Sequence, residues 1–166
     1  LVRKDLALVS SEAGRPKLGF GVSRLIVDIE KFLGYDHISD AIVVGAGGLG
    51  RAFLGYEGFK NNGLNVVAAF DVDENLVGTV VAGKRILHMQ ELGAFVAENN
   101  IRLGIVTVPK AAAQEVVNRL VESGVRAIWN FAPAPLRVPK DIVIKTEDLA
   151  ASLAMLAGKL YKTGDR

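Results

Sequence analysis

A short apolar run followed by closely spaced glycines is the feature that most constrains this chain. Residues 41–44, Ala-Ile-Val-Val, are typical of a strand buried on both faces of a parallel sheet. Gly45, Gly47 and Gly50 then follow in the spacing G-x-G-x-x-G, and residues 48–60 have the pattern of a helix. A strand, a glycine turn and a helix in this order predict a βαβ unit that binds a dinucleotide.

The three glycines have separate predicted roles. Gly45 allows a tight turn, Gly47 lets the backbone approach a pyrophosphate, and Gly50 lets the helix pack close to the strand. The phosphates would meet free N–H groups and the positive end of the helix. The predicted cofactor-binding residues of this segment are Gly45, Ala46, Gly47, Gly48, Leu49, Gly50 and Arg51. The alternative is a tight strand-to-helix turn that binds nothing.

An acidic residue at the end of a second predicted strand supports the dinucleotide hypothesis. Residues 65–70 are typical of a buried strand, and Asp71 follows 21 positions after Gly50, close to the expected ~20. A carboxylate there accepts hydrogen bonds from the adenine-ribose hydroxyls and repels a 2′-phosphate, so it favours NAD over NADP. Asp73 is a second candidate, and the alternative for both residues is an acidic surface turn.

Strands and helices alternate over the rest of the chain. Further strands are predicted at 102–108, 125–130 and 142–144, with a short one near 85–87, and helices at 90–99 and 110–123. This order predicts an α/β fold with a Rossmann-type, doubly wound, mostly parallel sheet. Such sheets bind ligands at the carboxyl ends of their strands. The segments predicted to reach that edge are Thr107, Val108 and Pro109, and Asn130, Phe131, Ala132 and Pro133. For Phe131, core packing is the alternative.

Composition excludes several classes of site and of protein. The chain has no cysteine, and His37 and His88 are far apart, so neither disulfides nor a metal site is predicted. No apolar run is long enough to span a membrane, and a cytoplasmic protein is expected. The net charge of +2 does not by itself indicate a nucleic-acid partner, although residues 1–24 are the basic end of the chain.

No catalytic residue is predicted. A dehydrogenase needs a proton donor near the hydride site, but no histidine follows the predicted strands at 102–108 and 125–130. The remaining length is also too short for a separate substrate domain. These observations favour a fold that binds a dinucleotide without transforming it. A small NAD-dependent oxidoreductase and a CoA-binding module remain alternatives, and Asp71 argues against CoA, whose ribose carries a 3′-phosphate.

The last predicted helix has an apolar stripe. Thr146 is a candidate N-cap, and four leucines recur at three- and four-residue steps. These leucines are Leu149, Leu153, Leu156 and Leu160. The stripe must be covered, either by the chain's own sheet or by a second subunit.

Several segments together resemble the Rex family of redox-sensing transcriptional repressors. They are RKDL at 3–6, GRPKLGFGV at 14–22, GAGGLGR at 45–51, YEGF at 56–59, FDVD at 70–73, VTVP at 106–109, Ala113-Gln114 and NFAP at 130–133. The glycine motif is generic, whereas RKDL combined with NFAP at this spacing is much more specific. The resemblance covers essentially the whole chain.

The resemblance implies a homodimer that binds operator DNA and senses the ratio of NADH to NAD⁺. It implies a partial winged-helix segment at 1–36, a Rossmann NAD(H)-binding domain at 37–145 and, at 146–166, a dimerisation helix exchanged between subunits. Residues 1–9 resemble a recognition helix, with Arg3 and Lys4 facing the major groove. Residues 10–21 resemble a wing, with Arg15 and Lys17 at phosphates or the minor groove.

The beginning of the chain departs from that pattern. The sequence starts at Leu1, inside a predicted helix that has no capping residue, so further residues are expected upstream. The earlier helices of a winged helix are not among these residues, and the segment ALVSSEA at 7–13 lacks the family's usual aromatic residues and paired glycines. DNA binding by residues 1–166 alone is therefore expected to be weak or absent.

Overall fold

The computed structural model describes residue 9, residues 21–32 and residues 39–163. These residues belong to two compact units. The first comprises the described part of Leu1–Ser39 together with Glu57–Asn65. The second comprises Asp40–Tyr56 and the described part of Val66–Arg166.

The first unit contains helix α1, Val22–Phe32, and a 3-10 helix at Glu57–Asn62. In α1, Arg24 and Asp28 form an ion pair of 3.6 Å one turn apart, and Asp28 is buried. Gly63 follows the 3-10 helix with φ +70°, and its carbonyl accepts a hydrogen bond from the Ser39 backbone N–H.

The sheet has seven strands in the order β3-β4-β2-β1-β5-β6-β7. Their bounds are β1 Ser39–Val44, β2 Leu64–Asp71, β3 Val80–Val81, β4 Lys84–His88, β5 Leu103–Val106, β6 Ala127–Asn130 and β7 Val143–Thr146. The pairs β1–β5, β2–β4, β5–β6 and β6–β7 are parallel, and β3–β4 is antiparallel. The chain builds outward from β1 in both directions, which confirms the predicted doubly wound, mostly parallel α/β fold.

Four further helices follow the strands. Their bounds are α2 Gly48–Gly55, α3 Leu92–Glu98, which follows a 3-10 helix at Met89–Glu91, α4 Lys110–Ser123 and α5 Leu149–Thr163. The strand residues Ile42, Phe70 and Ile105 are completely buried. On α4, Val117 and Leu120 are also completely buried, so the apolar spacing of this helix faces the sheet.

Helix α2 is shorter than the pattern at 48–60 predicts. It ends at Gly55, and Tyr56 has extended backbone angles of φ −81° and ψ 104°. The residues that follow form the separate 3-10 helix of the first unit. Glycine is a weak helix former, so Gly55 is a natural end point that apolar periodicity alone does not reveal.

Strands β3 and β4 form a β-hairpin, of which the sequence predicts only the short strand near 85–87. Strands β3 and β4 are joined by Ala82 and Gly83, which have φ +49° and φ +76°. Positive φ at both central residues is the geometry of a tight two-residue hairpin turn. Lys84 Nζ donates a hydrogen bond of 2.6 Å to the Leu54 carbonyl, in the last turn of α2. The hairpin therefore fixes the C-terminal end of the helix that begins at the glycine turn.

Helix α5 leaves its apolar stripe exposed. Leu149, Leu153 and Leu156 are exposed to 59%, 67% and 65%. In the structure this stripe therefore does not pack against the chain's own sheet. The helix cap lies two residues later than predicted. Thr146 ends β7, and Asp148 Oδ1 accepts a hydrogen bond of 2.8 Å from the Ala151 N–H. Among the helices in the described residues, none is long and apolar enough to cross a membrane.

Candidate functional site

A cleft of about 570 Å³ lies at the carboxyl ends of β1, β2 and β5. This edge is the switch point at which the strand order reverses, where open α/β sheets bind ligands. The predicted site residues that line the cleft are Gly45, Gly47, Asp71, Asp73, Thr107, Val108 and Pro109. The structure thus brings together the glycine turn, the acidic segment after β2 and the turn after β5.

The glycine turn is shaped by close backbone contacts. Gly45 has φ +98°, a conformation that favours glycine, and a Cβ there would lie 2.9 Å from the Thr107 carbonyl oxygen. A Cβ on Gly50 would collide with the Gly45 carbonyl oxygen. A Cβ on Gly47, in contrast, would meet nothing within 4 Å. Close backbone contacts therefore leave no room for a side chain at Gly45 or Gly50, whereas Gly47 borders open space and lines the cleft.

Helix α2 starts directly at this turn. Gly47 is its N-cap residue, with no side-chain capping hydrogen bond and no acidic side chain in the first turn. Backbone N–H groups at such a helix start attract anions. Gly48, Leu49 and Arg51 are exposed there, while Ala46 and Gly50 are buried. The geometry suits the phosphates of a nucleotide.

The Asp71 carboxylate accepts three backbone hydrogen bonds. Oδ2 accepts from the Ala46 N–H at 2.6 Å, and Oδ1 accepts from the Val72 and Asp73 N–H groups at 2.7 and 3.0 Å. A carboxylate offers about four acceptor positions, so one is left for a ligand hydroxyl in the cleft. Asp71 therefore both contacts the glycine turn and lines the cavity.

Asp73 organises the turn that follows β2. Its Oδ1 accepts hydrogen bonds from the Asn75 backbone N–H at 2.9 Å and from Asn75 Nδ2 at 2.8 Å. Its carbonyl accepts from the N–H groups of Leu76 and Val77. This turn places Leu76 in the wall of the cleft.

The turn after β5 contacts the glycine turn from the other side. Thr107 Oγ1 donates to the Gly45 carbonyl at 2.7 Å and lies 3.1 Å from the Val44 carbonyl oxygen. Pro109 is the N-cap residue of α4. Val108 and Pro109 also line the cleft.

Residues 130–133 are predicted site residues that do not line this cleft. Asn130 is completely buried, accepts from the Ala132 N–H at 2.9 Å, and donates to the Ala132 carbonyl at 3.0 Å and to Thr146 Oγ1 at 3.3 Å. Phe131 packs in an aromatic cluster, with ring centroids 4.9 Å from Phe53 and 4.6 Å from Trp129. Ala132 is buried and Pro133 is exposed.

Sequence reasoning missed most of the apolar wall of the cleft. Val72, Leu76, Met89, Ala112 and Val116 line it, and Val72 is 70% exposed. Ala112 and Val116 lie one turn apart on α4, and this i, i+4 spacing was the only signal available for them. His88 was also missed as a residue of this edge: it pairs with Asp71 in the register of β4 and β2.

The predicted DNA-contacting residues Arg3, Lys4, Arg15 and Lys17 lie outside the described residues. Among the described residues, no group of three or more histidine, cysteine, aspartate or glutamate side chains is placed to hold a metal ion.

Comparison with known proteins identifies the family. Residues 36–134 match the family model described as CoA binding domain. The chain is 43% identical over 155 residues to the redox-sensing transcriptional repressor Rex of Treponema denticola, covering 93% of this chain and 73% of the relative.

Solved structures agree with the sequence comparison. A crystal structure of RSP in complex with β-NAD⁺ and operator DNA superimposes with a TM-score of 0.89 at 33% identity, covering 98% of this chain and 74% of RSP. RSP in complex with β-NADH superimposes with a TM-score of 0.83 at 33% identity, covering 98% of this chain and 75% of RSP. The resemblance inferred from the sequence is confirmed, and the chain belongs to the Rex family of redox-sensing transcriptional repressors.

Proposed function

We propose that the chain is an NADH/NAD⁺-responsive transcriptional repressor whose Rossmann domain binds both forms of the cofactor and controls binding to operator DNA. One observation carries the cofactor assignment: the glycine turn, the Asp71 carboxylate and the Thr107–Pro109 turn line the same cleft at the switch point. Relatives solved with β-NAD⁺ and operator DNA, and with β-NADH, support the same ligands here.

The dinucleotide crosses the cleft with its phosphates at the start of α2. Its adenine ribose lies at Asp71, which keeps one acceptor position for a hydroxyl, and the apolar wall that includes Val72 and Leu76 packs against the adenine. Asp73, Thr107, Val108 and Pro109 complete this half of the site. Asn130, Phe131, Ala132 and Pro133 belong to the nicotinamide side, where they act on the ring or on the elements around it.

A CoA-binding module is the second candidate, because residues 36–134 match the CoA binding domain family. The carboxylate of Asp71 at the cleft disfavours it, since like charges repel and the ribose of CoA carries a 3′-phosphate. The same repulsion disfavours NADP. The chain acts as a sensor and not as an enzyme, and we assign it to the cytoplasm.

The chain divides by function into residues 1–36, 37–145 and 146–166. The first segment is the partial winged helix, with Arg3, Lys4, Arg15 and Lys17 at the DNA. The second binds NAD(H). The third is the dimerisation helix, exchanged between two subunits, and the exposure of Leu149, Leu153 and Leu156 supports this role because a stripe of that kind is otherwise left in water.

Titration with NADH, NAD⁺, NADPH and CoA tests the proposal. NAD⁺ carries a positive nicotinamide ring and NADH does not, and a sensor shifts its equilibrium only by its differential affinity. We expect NADH to bind at least about tenfold more tightly than NAD⁺, equivalent to about 1.4 kcal/mol, and NADPH and CoA to bind more weakly than NADH. Equal affinities for NADH and NAD⁺, with substrate-dependent consumption of NADH, would instead support an oxidoreductase.

A further inference from the structure

The peptide group between Gly45 and Ala46 is held at both of its ends. Its N–H, which belongs to Ala46, donates to Asp71 Oδ2 at 2.6 Å. Its carbonyl, which belongs to Gly45, accepts from Thr107 Oγ1 at 2.7 Å. One side chain therefore fixes the donor and another fixes the acceptor of the same planar unit.

The two side chains come from opposite sides of β1. Asp71 ends β2 and Thr107 follows β5, and these strands are the two neighbours of β1 in the sheet. The backbone adds a further bond on each side: Gly45 N–H donates to the Phe70 carbonyl at 2.8 Å, and Thr107 N–H donates to the Val44 carbonyl at 2.9 Å. The peptide therefore lies at the switch point of the sheet, and hydrogen bonds join it to residues on both sides of β1.

A glycine peptide at this position needs such restraint. Gly45 has φ +98°, and glycine populates both signs of φ, so rotation of the next peptide costs little by itself. Rotation would turn the Gly45 carbonyl oxygen toward the Asp71 carboxylate, where oxygen would face oxygen. It would also break the charge-assisted hydrogen bond from Ala46 N–H, which belongs to the stronger class of hydrogen bonds.

We propose that Asp71 and Thr107 are a pair of positioning residues that hold the Gly45–Ala46 peptide in the orientation in which the turn binds the cofactor phosphates. This inference rests on the proposed function for its ligand. Thr107 acts on cofactor binding through its hydrogen bond to the Gly45 carbonyl. Asp71 holds the Ala46 N–H in addition to its proposed contact with the ribose. The cofactor then meets a turn that is already ordered and loses less free energy in ordering it.

Three variants of the full chain test the pair. Thr107→Val removes the hydroxyl and keeps the side-chain shape, Thr107→Ser restores the hydroxyl, and Asp71→Asn replaces the carboxylate with an amide that has a single acceptor oxygen. We expect Thr107→Val to weaken NADH binding about tenfold and Thr107→Ser to stay within about threefold of the parent, as the loss and return of preorganisation predict. Because both residues act on one peptide, the loss in Thr107→Val/Asp71→Asn should be smaller than the product of the single losses.

A measurement without ligand separates this inference from the proposed function. Hydrogen exchange of the Ala46 amide, followed by NMR in the cofactor-free protein, should accelerate in Thr107→Val and in Asp71→Asn, and return toward the parent rate in Thr107→Ser. Matched controls are Thr79→Val, which removes another hydroxyl-to-carbonyl bond, and Asp141→Asn, which removes an exposed carboxylate. Both controls should leave the Ala46 exchange rate unchanged.

The outcomes are distinct. Unchanged Ala46 exchange in Thr107→Val, or strictly multiplicative losses of NADH affinity in the double variant, would overturn the paired restraint. A parent protein that binds no NADH would overturn the proposed function, and the Ala46 exchange rates would still decide whether the two side chains hold the peptide.

Discussion

Trp129 donates a hydrogen bond from its indole Nε1 to Glu147 Oε1 across 3.2 Å, joining the end of β6 to the segment that leads into α5. Lys145 Nζ lies 3.7 Å from the same carboxylate oxygen. On its other side, the Trp129 ring stacks on Phe53 of α2, with centroids 5.9 Å apart. The indole therefore contacts the helix that starts at the cleft and is bonded to Glu147, which lies two residues before the exposed helix.

The first prediction uses Trp129, the only tryptophan in the chain, as a probe. Glu147→Ala should shift the tryptophan emission maximum to longer wavelength, because the indole N–H loses its protein acceptor and takes water instead. Glu122→Ala, an exposed carboxylate on α4, is the matched control and should leave the spectrum unchanged. Identical spectra for the parent and Glu147→Ala would show that the bond is not formed in solution.

The second prediction concerns cofactor selectivity. Asp71→Ala should weaken NADH binding by roughly 1–3 kcal/mol, the range for leaving a hydrogen-bonding partner unsatisfied, and should reduce the discrimination against NADPH. Asp73→Ala should have a smaller effect, because the Asp73 side chain is bonded to Asn75 within its own turn. Calorimetric titration with both cofactors measures the change. If Asp71→Ala binds NADH as tightly as the parent does, another residue makes the ribose contact.

The third prediction concerns assembly. Leu153→Glu/Leu156→Glu places two charges on the exposed stripe of α5 and should convert a dimer into a monomer, because burying unpaired charges in an interface is costly. Ala151→Glu lies on the opposite side of the same helix and should remain dimeric. Sedimentation velocity distinguishes the two states. A dimer that tolerates both charges would exclude α5 as the dimer contact.

The fourth prediction concerns the stability of the loop after β6. Asn130→Ala strands the Ala132 N–H, which donates to Asn130 Oδ1, and should lower the free energy of unfolding by about 1–3 kcal/mol. The Ala132 carbonyl loses one of its two donors and keeps the Ala134 N–H. Asn118→Ala, on the exposed side of α4, should cost less. Urea denaturation compares them, and equal losses would mean that the loop does not depend on Asn130.

The fifth prediction concerns DNA. Residues 1–166 alone should bind operator DNA weakly, with strong salt dependence and little sequence preference, because contacts between basic side chains and phosphates carry no sequence information. Gel-shift titration at near-physiological salt, with operator and scrambled duplexes of equal length, tests this. Tight binding that is selective for the operator would show that these residues suffice for recognition.

The sequence predicted the parts of this fold that follow from local patterns. Continuous apolar runs at β1 and β2, each followed by glycine or aspartate, indicated buried parallel strands, and G-x-G-x-x-G indicated a turn facing the switch point. The hairpin was missed because β3 has two residues, too few for any periodicity. The apolar wall was missed because Met89, which follows β4, and Val116 of α4 come together only at the cleft of the folded chain.

Asn130 shows a different limit of prediction from the sequence. Its place at the end of a strand predicted a polar group directed toward the ligand, and in the structure its amide forms hydrogen bonds with Ala132 and Thr146. Position along a strand does not tell whether a polar side chain bonds inward or outward, because that depends on which backbone groups the following loop leaves unpaired. Its contact with the cofactor remains a prediction.

The bond from Lys84 to the Leu54 carbonyl has an electrostatic consequence at the far end of α2. A helix carries partial positive charge at its start and partial negative charge at its end. The ammonium group lies 2.6 Å from a carbonyl of the last turn and compensates the negative pole, while no acidic side chain of the first turn compensates the positive one. The hairpin therefore stabilises α2 from its C-terminal end through Lys84, while the acidic group at the start of the helix is Asp71, which comes from β2 and is bonded to the Ala46 N–H.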